Sequence, residues 1–171
     1  MKIMAVSDIH GSSGWAQKAV DRFHEEAADK LLILGDILYH GPRNDLPEDY
    51  QPKKVIEILN KERDNIIAVR GNCDAEVDQQ VLDFAIMAES VWLTSGDTRI
   101  YATHGHHIDP DDLPTFLGKG DILLCGHTHI AEDIMLGQIR YMNPGSPSIP
   151  KSGTAPSYII IDNGVAELRR F

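Results

Sequence analysis

Short apolar runs alternate with amphipathic stretches through the first half of the chain. Lys2 to Ser7 reads as a strand buried on both faces, because Ile3 to Val6 are apolar at successive positions. Ala16, Ala19, Val20, Phe23 and Ala27 then recur at three- and four-residue steps and mark one face of a helix. Ser12 or Ser13 supplies the hydroxyl to cap its start. Leu31 to Leu34 reads as a second buried strand, broken by Gly35. A loop from Leu38 to Gln51 carries Gly41-Pro42 and Leu46-Pro47, and Pro52 suits the first turn of a helix with Val55, Ile56 and Leu59 on its apolar side. Ile66 to Val69 is a third strand. Strands joined through helices in this order are expected to run parallel.

The second half is richer in strands: Val91 to Thr94, Arg99 to Thr103, Asp121 to Cys125, Ala131 to Leu136 and Ile139 to Met142. Ser157 to Asp162 and Val165 to Arg169 form a closing hairpin turned at Asn163-Gly164. Pro110 to Leu117 is expected to be a short helix between them. With no internal repeat and no linker, one domain over residues 1–171, built of two packed sheets with helices outside, is the simplest architecture.

The chemistry lies just past the apolar runs. The first strand ends in Asp8-Ile9-His10, the second in Gly35-Asp36 and the third in Gly71-Asn72. The Arg99 run ends in His104-Gly105-His106, and the Asp121 run in Gly126-His127-Thr128-His129. In open α/β sheets ligands bind at the carboxyl ends of strands, so five such ends gather one polar cluster at one edge. Asp, Asn and His together suit Mn²⁺, Fe, Zn²⁺ or Co²⁺ better than an all-oxygen Ca²⁺ cage. Singly, an Asp after a strand is usually a turn residue and a buried His a core residue. Their recurrence after each run points to metal.

Charge and composition narrow the partners. A net charge of −10 argues against a general polyanion binder, but not against a phosphate substrate, because bound cations dominate the local field. The first apolar run stops at Ser7, too short for a signal-peptide core, and no run is long enough to span a bilayer. The expected location is the cytoplasm. Cys73 and Cys125 lie far apart with no CxxC spacing and are expected there as free thiols. Trp92 and Phe171, read as exposed, leave a homo-oligomer open.

Taken in order, DIH, GD, GN, H and GHTH resemble the calcineurin-like metallophosphoesterase signature, and the likeness runs from Asp8 through the Asn143-Pro144-Gly145-Ser146 turn to the final hairpin. More narrowly, GDILYHGPRNDLP, VRGNCD, THGH, GHTH and NPGSPSIPK are similar to the small bacterial phosphodiesterases of the YfcE type. The resemblance implies a four-layer α/β/β/α sandwich of two mixed sheets flanked by helices, with two divalent cations at its edge. Mn²⁺ is the first expectation, with Zn²⁺, Ni²⁺, Co²⁺ or Fe²⁺ as alternatives. Carried over by motif, Asp8, His10, Asp36 and His129 hold one cation. Asp36, Asn72, His104 and His127 hold the other, with Asp36 shared, and Asp36, Asn72 and His104 are the residues closest to the reaction. The expected reaction is hydrolysis of a small-molecule phosphodiester by water activated between the cations.

The chain departs from the broader family at Cys73, where many members carry His; a thiol cannot supply imidazolium charge. A small packing residue is the favoured reading of Cys73, and solvent is then left to protonate the leaving group. Arg43, His106 and Cys73 are the candidate substrate contacts, with His40 in the same loop as Arg43. Two other functions share the fold: a protein-interaction scaffold like the retromer subunit vacuolar sorting protein 29, and a phosphomonoesterase or nucleotidase with the same ligand set. No general nucleic-acid or membrane partner is expected.

Overall fold

The protein is described by a computed structural model that covers all residues, Met1–Phe171. Its elements follow in the order β1 (Ile3–Val6), α1 (Ser13–Glu25), β2 (Lys30–Ile33), α2 (Pro52–Asn60), β3 (Ile66–Ala68), α3 (Glu76–Gln79), β4 (Ser90–Ser95), β5 (Thr98–Thr103), β6 (Ile122–Leu124), β7 (Ala131–Leu136), β8 (Ile139–Pro144), β9 (Ser157–Asp162) and β10 (Val165–Arg170). They build two five-stranded sheets, ordered β10-β9-β1-β2-β3 and β4-β5-β6-β8-β7. Both are mixed. β1, β2 and β3 run parallel, as the helical connections between them require, while β9 lies antiparallel to β1. In the second sheet β5, β6 and β8 run parallel, and β4 and β7 are antiparallel edges.

Alternation along β1 explains why it has no polar face. Ile3 and Ala5 point between the sheets, where they meet Leu32, Leu34, Ile100, Ala102, Ile122, Leu124 and Met142. Met4 and Val6 point the other way, onto Ala16, Ala19, Val20 and Phe23 of α1 and Val55, Ile58 and Leu59 of α2. Full burial of each Val, Leu, Ile, Met or Phe side chain among them stabilises by about 1.5–3 kcal/mol. Ser12 is the residue that caps α1, accepting from the Trp15 amide, and Pro52 sits at the start of α2 as expected.

Two expectations change. Pro110 to Leu117 is not helical but a series of turns. Pro114 lacks the amide a helix needs and biases Leu113 away from helical geometry. The segment still covers the outer face of the second sheet, where Leu113 and Leu117 pack with Tyr101, Leu123 and Tyr141. Phe171 is not exposed: it packs against the core, its ring 4.9 Å from Tyr158 and 5.6 Å from Trp15. Trp92 is exposed as expected. No helix is long and apolar enough to cross a membrane.

Candidate metal centre

The parallel strands β1, β2 and β3 of one sheet and β5 and β6 of the other end at one rim, so the turns after them converge. Asp8, His10, Asp36, His127 and His129 all sit at positive φ, between 49° and 68°. A left-handed backbone is uncommon for residues other than glycine, and its concentration at one rim marks strain held by the surrounding structure. Close approach demands glycine at two places. A Cβ on Gly71 would run into the Asp36 carboxylate and amide, and one on Gly126 into Ser7 Oγ.

Backbone carbonyls set the histidine tautomers. His10 Nδ1 donates to Tyr39 O at 2.7 Å, His104 Nδ1 to Leu34 O at 2.6 Å and His129 Nδ1 to Ile149 O at 3.0 Å. A carbonyl only accepts, so each Nδ1 carries a hydrogen, and in the neutral ring Nε2 is left with a lone pair facing inward. The carboxylates are anchored similarly by one oxygen each. Asp8 Oδ2 accepts from the His127 amide at 2.9 Å, and Asp36 Oδ1 from the Cys73 amide at 2.8 Å.

The free atoms converge. His10 Nε2 and His129 Nε2 are 3.1 Å apart. Asp8 Oδ1, buried and without a hydrogen-bond partner, is 3.5 Å from the first and 3.3 Å from the second. Asp36 Oδ2 lies 3.6 Å from His10 Nε2 and 3.5 Å from His104 Nε2. Asn72 Oδ1 completes the group, 3.0 Å from His104 Nε2 and 2.7 Å from His127 Nδ1. The arrangement thus brings together all seven residues singled out by sequence. An orphaned buried carboxylate oxygen opposite two inward lone pairs is a place where a cation would be stabilised, and the mixed oxygen and nitrogen donors fit a divalent transition metal.

Electrostatics agree. Burial raises the Asp8 carboxyl, but the facing His10 and His129 rings and the charge of His104 outweigh it and hold it well below the usual range. Burial lowers the His104 imidazole, yet its hydrogen bond to Asp36 and the charges of Asp8 and Asp36 lift it to about 9. Without metal, the carboxylates draw protons onto His10 and His104. Cys73 behaves differently: burial and the nearby Asp36 charge push its thiol up to about 12, so it is neutral near pH 7.

A cavity of about 370 Å³ opens over this centre, lined by Asp36, Asn72, His127 and His129 and by Arg43 and Lys151, with Cys73 as its one hydrophobic residue. His106 stands behind, its ring 5.4 Å from that of His104 and 6.0 Å from that of His127, and does not line the cavity. His40 is packed between Tyr39 and Tyr50 instead of facing the centre. Arg70 pairs with Glu89. His24 lies on α1 beside Glu62, away from the site.

Sequence reasoning gave no role to three supporting residues. Asp74, buried, accepts from the amides of Asp36, Ile37 and Gly71. Asn143 donates to Gly126 O at 2.7 Å, and Ser146 donates to Asp8 O at 2.7 Å. Their signal was present in the Gly71-Asn72-Cys73-Asp74 and Asn143-Pro144-Gly145-Ser146 stretches.

Relatives carry the same architecture. Over 165 residues, 96% of this chain and 89% of that protein, the chain is 48% identical to Phosphodiesterase YfcE of Escherichia coli (strain K12). It superposes on the solved structure of YfcE, a phosphoesterase from E. coli, with a TM-score of 0.94 at 46% identity, covering 99% of this chain and 93% of that one. A novel archaeal phosphodiesterase superposes with a TM-score of 0.71 over the whole of both chains; at 23% identity it speaks for the fold alone. Residues 1–164 match the calcineurin-like phosphoesterase superfamily domain, and the chain belongs to that superfamily of metal-dependent phosphoesterases.

Proposed function

We propose that this chain, acting as one domain over residues 1–171, hydrolyses small phosphodiesters with two divalent cations, Mn²⁺ before Zn²⁺, Ni²⁺, Co²⁺ or Fe²⁺. The observation that carries the reading is the position of Asp36 Oδ2, which faces His10 Nε2 on one side and His104 Nε2 on the other. Asp8, His10, Asp36 and His129 would hold one ion, and Asp36, Asn72, His104 and His127 the second. When bound, such a pair lowers the pKa of the water it shares and neutralises charge on the phosphate oxygens.

The residues of the chain do the rest. Hydrogen bonds from Nδ1 to backbone carbonyls fix the rings of His10, His104 and His129, so their Nε2 atoms need no reorientation. Amides of Cys73 and His127 hold Asp36 and Asp8 in place. Arg43 and Lys151 bring positive charge to the cavity that receives the phosphate. The neutral Cys73 thiol is a poor proton donor, so solvent protonates the leaving group and good leaving groups are favoured. The small-molecule substrate and a cytoplasmic location belong to the same reading. The phosphodiesterase name of the 48% identical relative supports a diester over a monoester. A scaffold has no use for an orphaned carboxylate among inward-facing imidazoles.

The test is turnover of bis(p-nitrophenyl) phosphate by chelated and by metal-reconstituted protein. Hydrolysis is expected to vanish on chelation and to return best with Mn²⁺. Full activity in metal-free protein would overturn the mechanism.

A further inference from the structure

Two cavities meet at Cys73. The first is the polar one over the candidate metal centre. The second, about 430 Å³, is walled by Leu38, Tyr39, Tyr50, Ile56, Val77 and Val81, with Lys53 and Asp78 beside them. Val77 is 60% exposed, and Tyr39 and Val81 are each 42% exposed. A single exposed apolar side chain needs no explanation, but several lining one concavity beside a charged site do.

The second cavity is fastened to the first. Tyr39, in its wall, accepts the hydrogen bond from His10 Nδ1 at 2.7 Å through its carbonyl. Cys73, which lines both cavities, donates its amide to Asp36 Oδ1 at 2.8 Å. Gly41 lies so near that a Cβ there would come within 3.0 Å of Cys73 Sγ, so two small residues meet where the cavities join.

We infer that the apolar cavity is a subsite for one ester substituent of the substrate. The substrate class is then a phosphodiester with an apolar alkyl or aryl alcohol on one side: phosphate over the polar cavity, the apolar group across Cys73 against Tyr39, Val77 and Val81. The inference rests on the phosphodiesterase reading of the polar cavity and narrows it. The occupant follows from continuity, because the apolar walls begin where the phosphate cavity ends.

The test is a series of p-nitrophenyl alkyl phosphodiesters, methyl to hexyl, with Mn²⁺-loaded protein. The leaving group stays constant and only the second substituent grows. We expect kcat/KM to rise about tenfold or more from methyl to hexyl, as added methylenes leave water. In Val77→Asn/Val81→Asn that ratio should fall to within about threefold, as expected when an apolar wall is lost. Val77→Thr/Val81→Thr keeps the side-chain shape and should lower the ratio partway, which guards against misfolding of the first variant. A flat series in the unaltered protein, or a ratio unmoved by both variants, would overturn the subsite. Calorimetric binding of dimethyl and methyl hexyl phosphate separates the two readings. Chain-length-dependent binding with no hydrolysis of the p-nitrophenyl esters supports the subsite and sinks the phosphodiesterase reading. Hydrolysis with equal affinity for both does the reverse.

Discussion

Asp74 clamps Asp36 by its backbone: Asp74 Oδ2 accepts from the Asp36 amide at 2.8 Å and from the Gly71 amide at 2.7 Å, while Oδ1 takes the Ile37 amide at 2.9 Å. One buried carboxylate thus ties the turn after β2, which bears Asp36, to the turn after β3, which bears Asn72. Asp74→Asn keeps the shape but puts an NH₂ group against an amide donor. A buried unsatisfied donor costs about 1–3 kcal/mol, so Tm should fall by roughly 3–10 °C. Metal affinity should drop about tenfold or more, as it does when a group supporting a metal ligand is lost. Calorimetric melting and metal titration check both. An unchanged Tm with unchanged affinity would remove Asp74 from the design of the site.

Asp36→Asn tests the shared carboxylate. The substitution removes the charge facing both histidine sets while preserving side-chain volume. Turnover should fall further than in Asn72→Ala, which takes away a neutral oxygen from one set only, and bound metal should drop below two per chain. Elemental analysis of the purified variants beside their kinetics decides it. Near-normal turnover and full metal content in Asp36→Asn would mean the ligands are assigned wrongly.

The rim of the fold was legible because its signals are local. An apolar run followed at once by Asp, Asn or His places a donor at a strand end whatever the rest of the chain does, and the structure gathers Asp8, His10, Asp36, Asn72, His104, His127 and His129. What was not legible depends on distant partners. Asp74 reaches amides 37 and 38 residues away, and no local pattern marks such a bond. Phe171 looks like an exposed terminal ring until β10 brings it beside Trp15 and Tyr158. Leu113 and Leu117 repeat at helical spacing, yet Pro114 and the need to cover Tyr101 and Leu123 produce turns. α3 spans four residues, too short for periodicity to reveal.

The Tm of the metal-free protein and the Tm gain on adding metal should respond to pH in opposite directions. His104 is raised from 6.5 to about 9 in the fold, and His10 is raised too, Asp8 and Asp36 outweighing the burial that opposes both. Groups raised by folding contribute stability that is complete below pH 6.5 and is lost as pH climbs toward 9. Asp8 and Asp36 are lowered from 3.8, so their contribution holds above that value and is lost as pH falls below it. The metal-free Tm should therefore decline from pH 6.5 to 9. Metal must displace the protons on Nε2, so the Tm gain on adding Mn²⁺ should grow over the same range. Scanning calorimetry with and without Mn²⁺, under argon, measures both curves. A gain independent of pH would mean that these imidazoles do not exchange protons for metal.

Substrate charge supplies the last prediction. A phosphodiester carries one negative charge and a monoester nearly two at neutral pH, and sites for the latter add basic groups around the phosphate. The cavity over the candidate metal centre offers only Arg43 and Lys151, and the chain as a whole carries −10, so no broad positive field makes up the difference. The thiol of Cys73, pushed up to about 12 by burial and by Asp36, does not replace an imidazolium for a poor leaving group. Bis-aryl phosphates should therefore turn over faster than the matching mono-aryl phosphates at saturating Mn²⁺, and dialkyl esters should be slow. A monoester rate higher by about tenfold, a barrier difference of about 1.4 kcal/mol, would make the protein a phosphomonoesterase. Cys73→His places an imidazole where the side chain lines the cavity, and should raise turnover of esters with poor leaving groups more than of those with good ones. Equal effects on both would leave Cys73 as a packing residue at the junction of the two cavities.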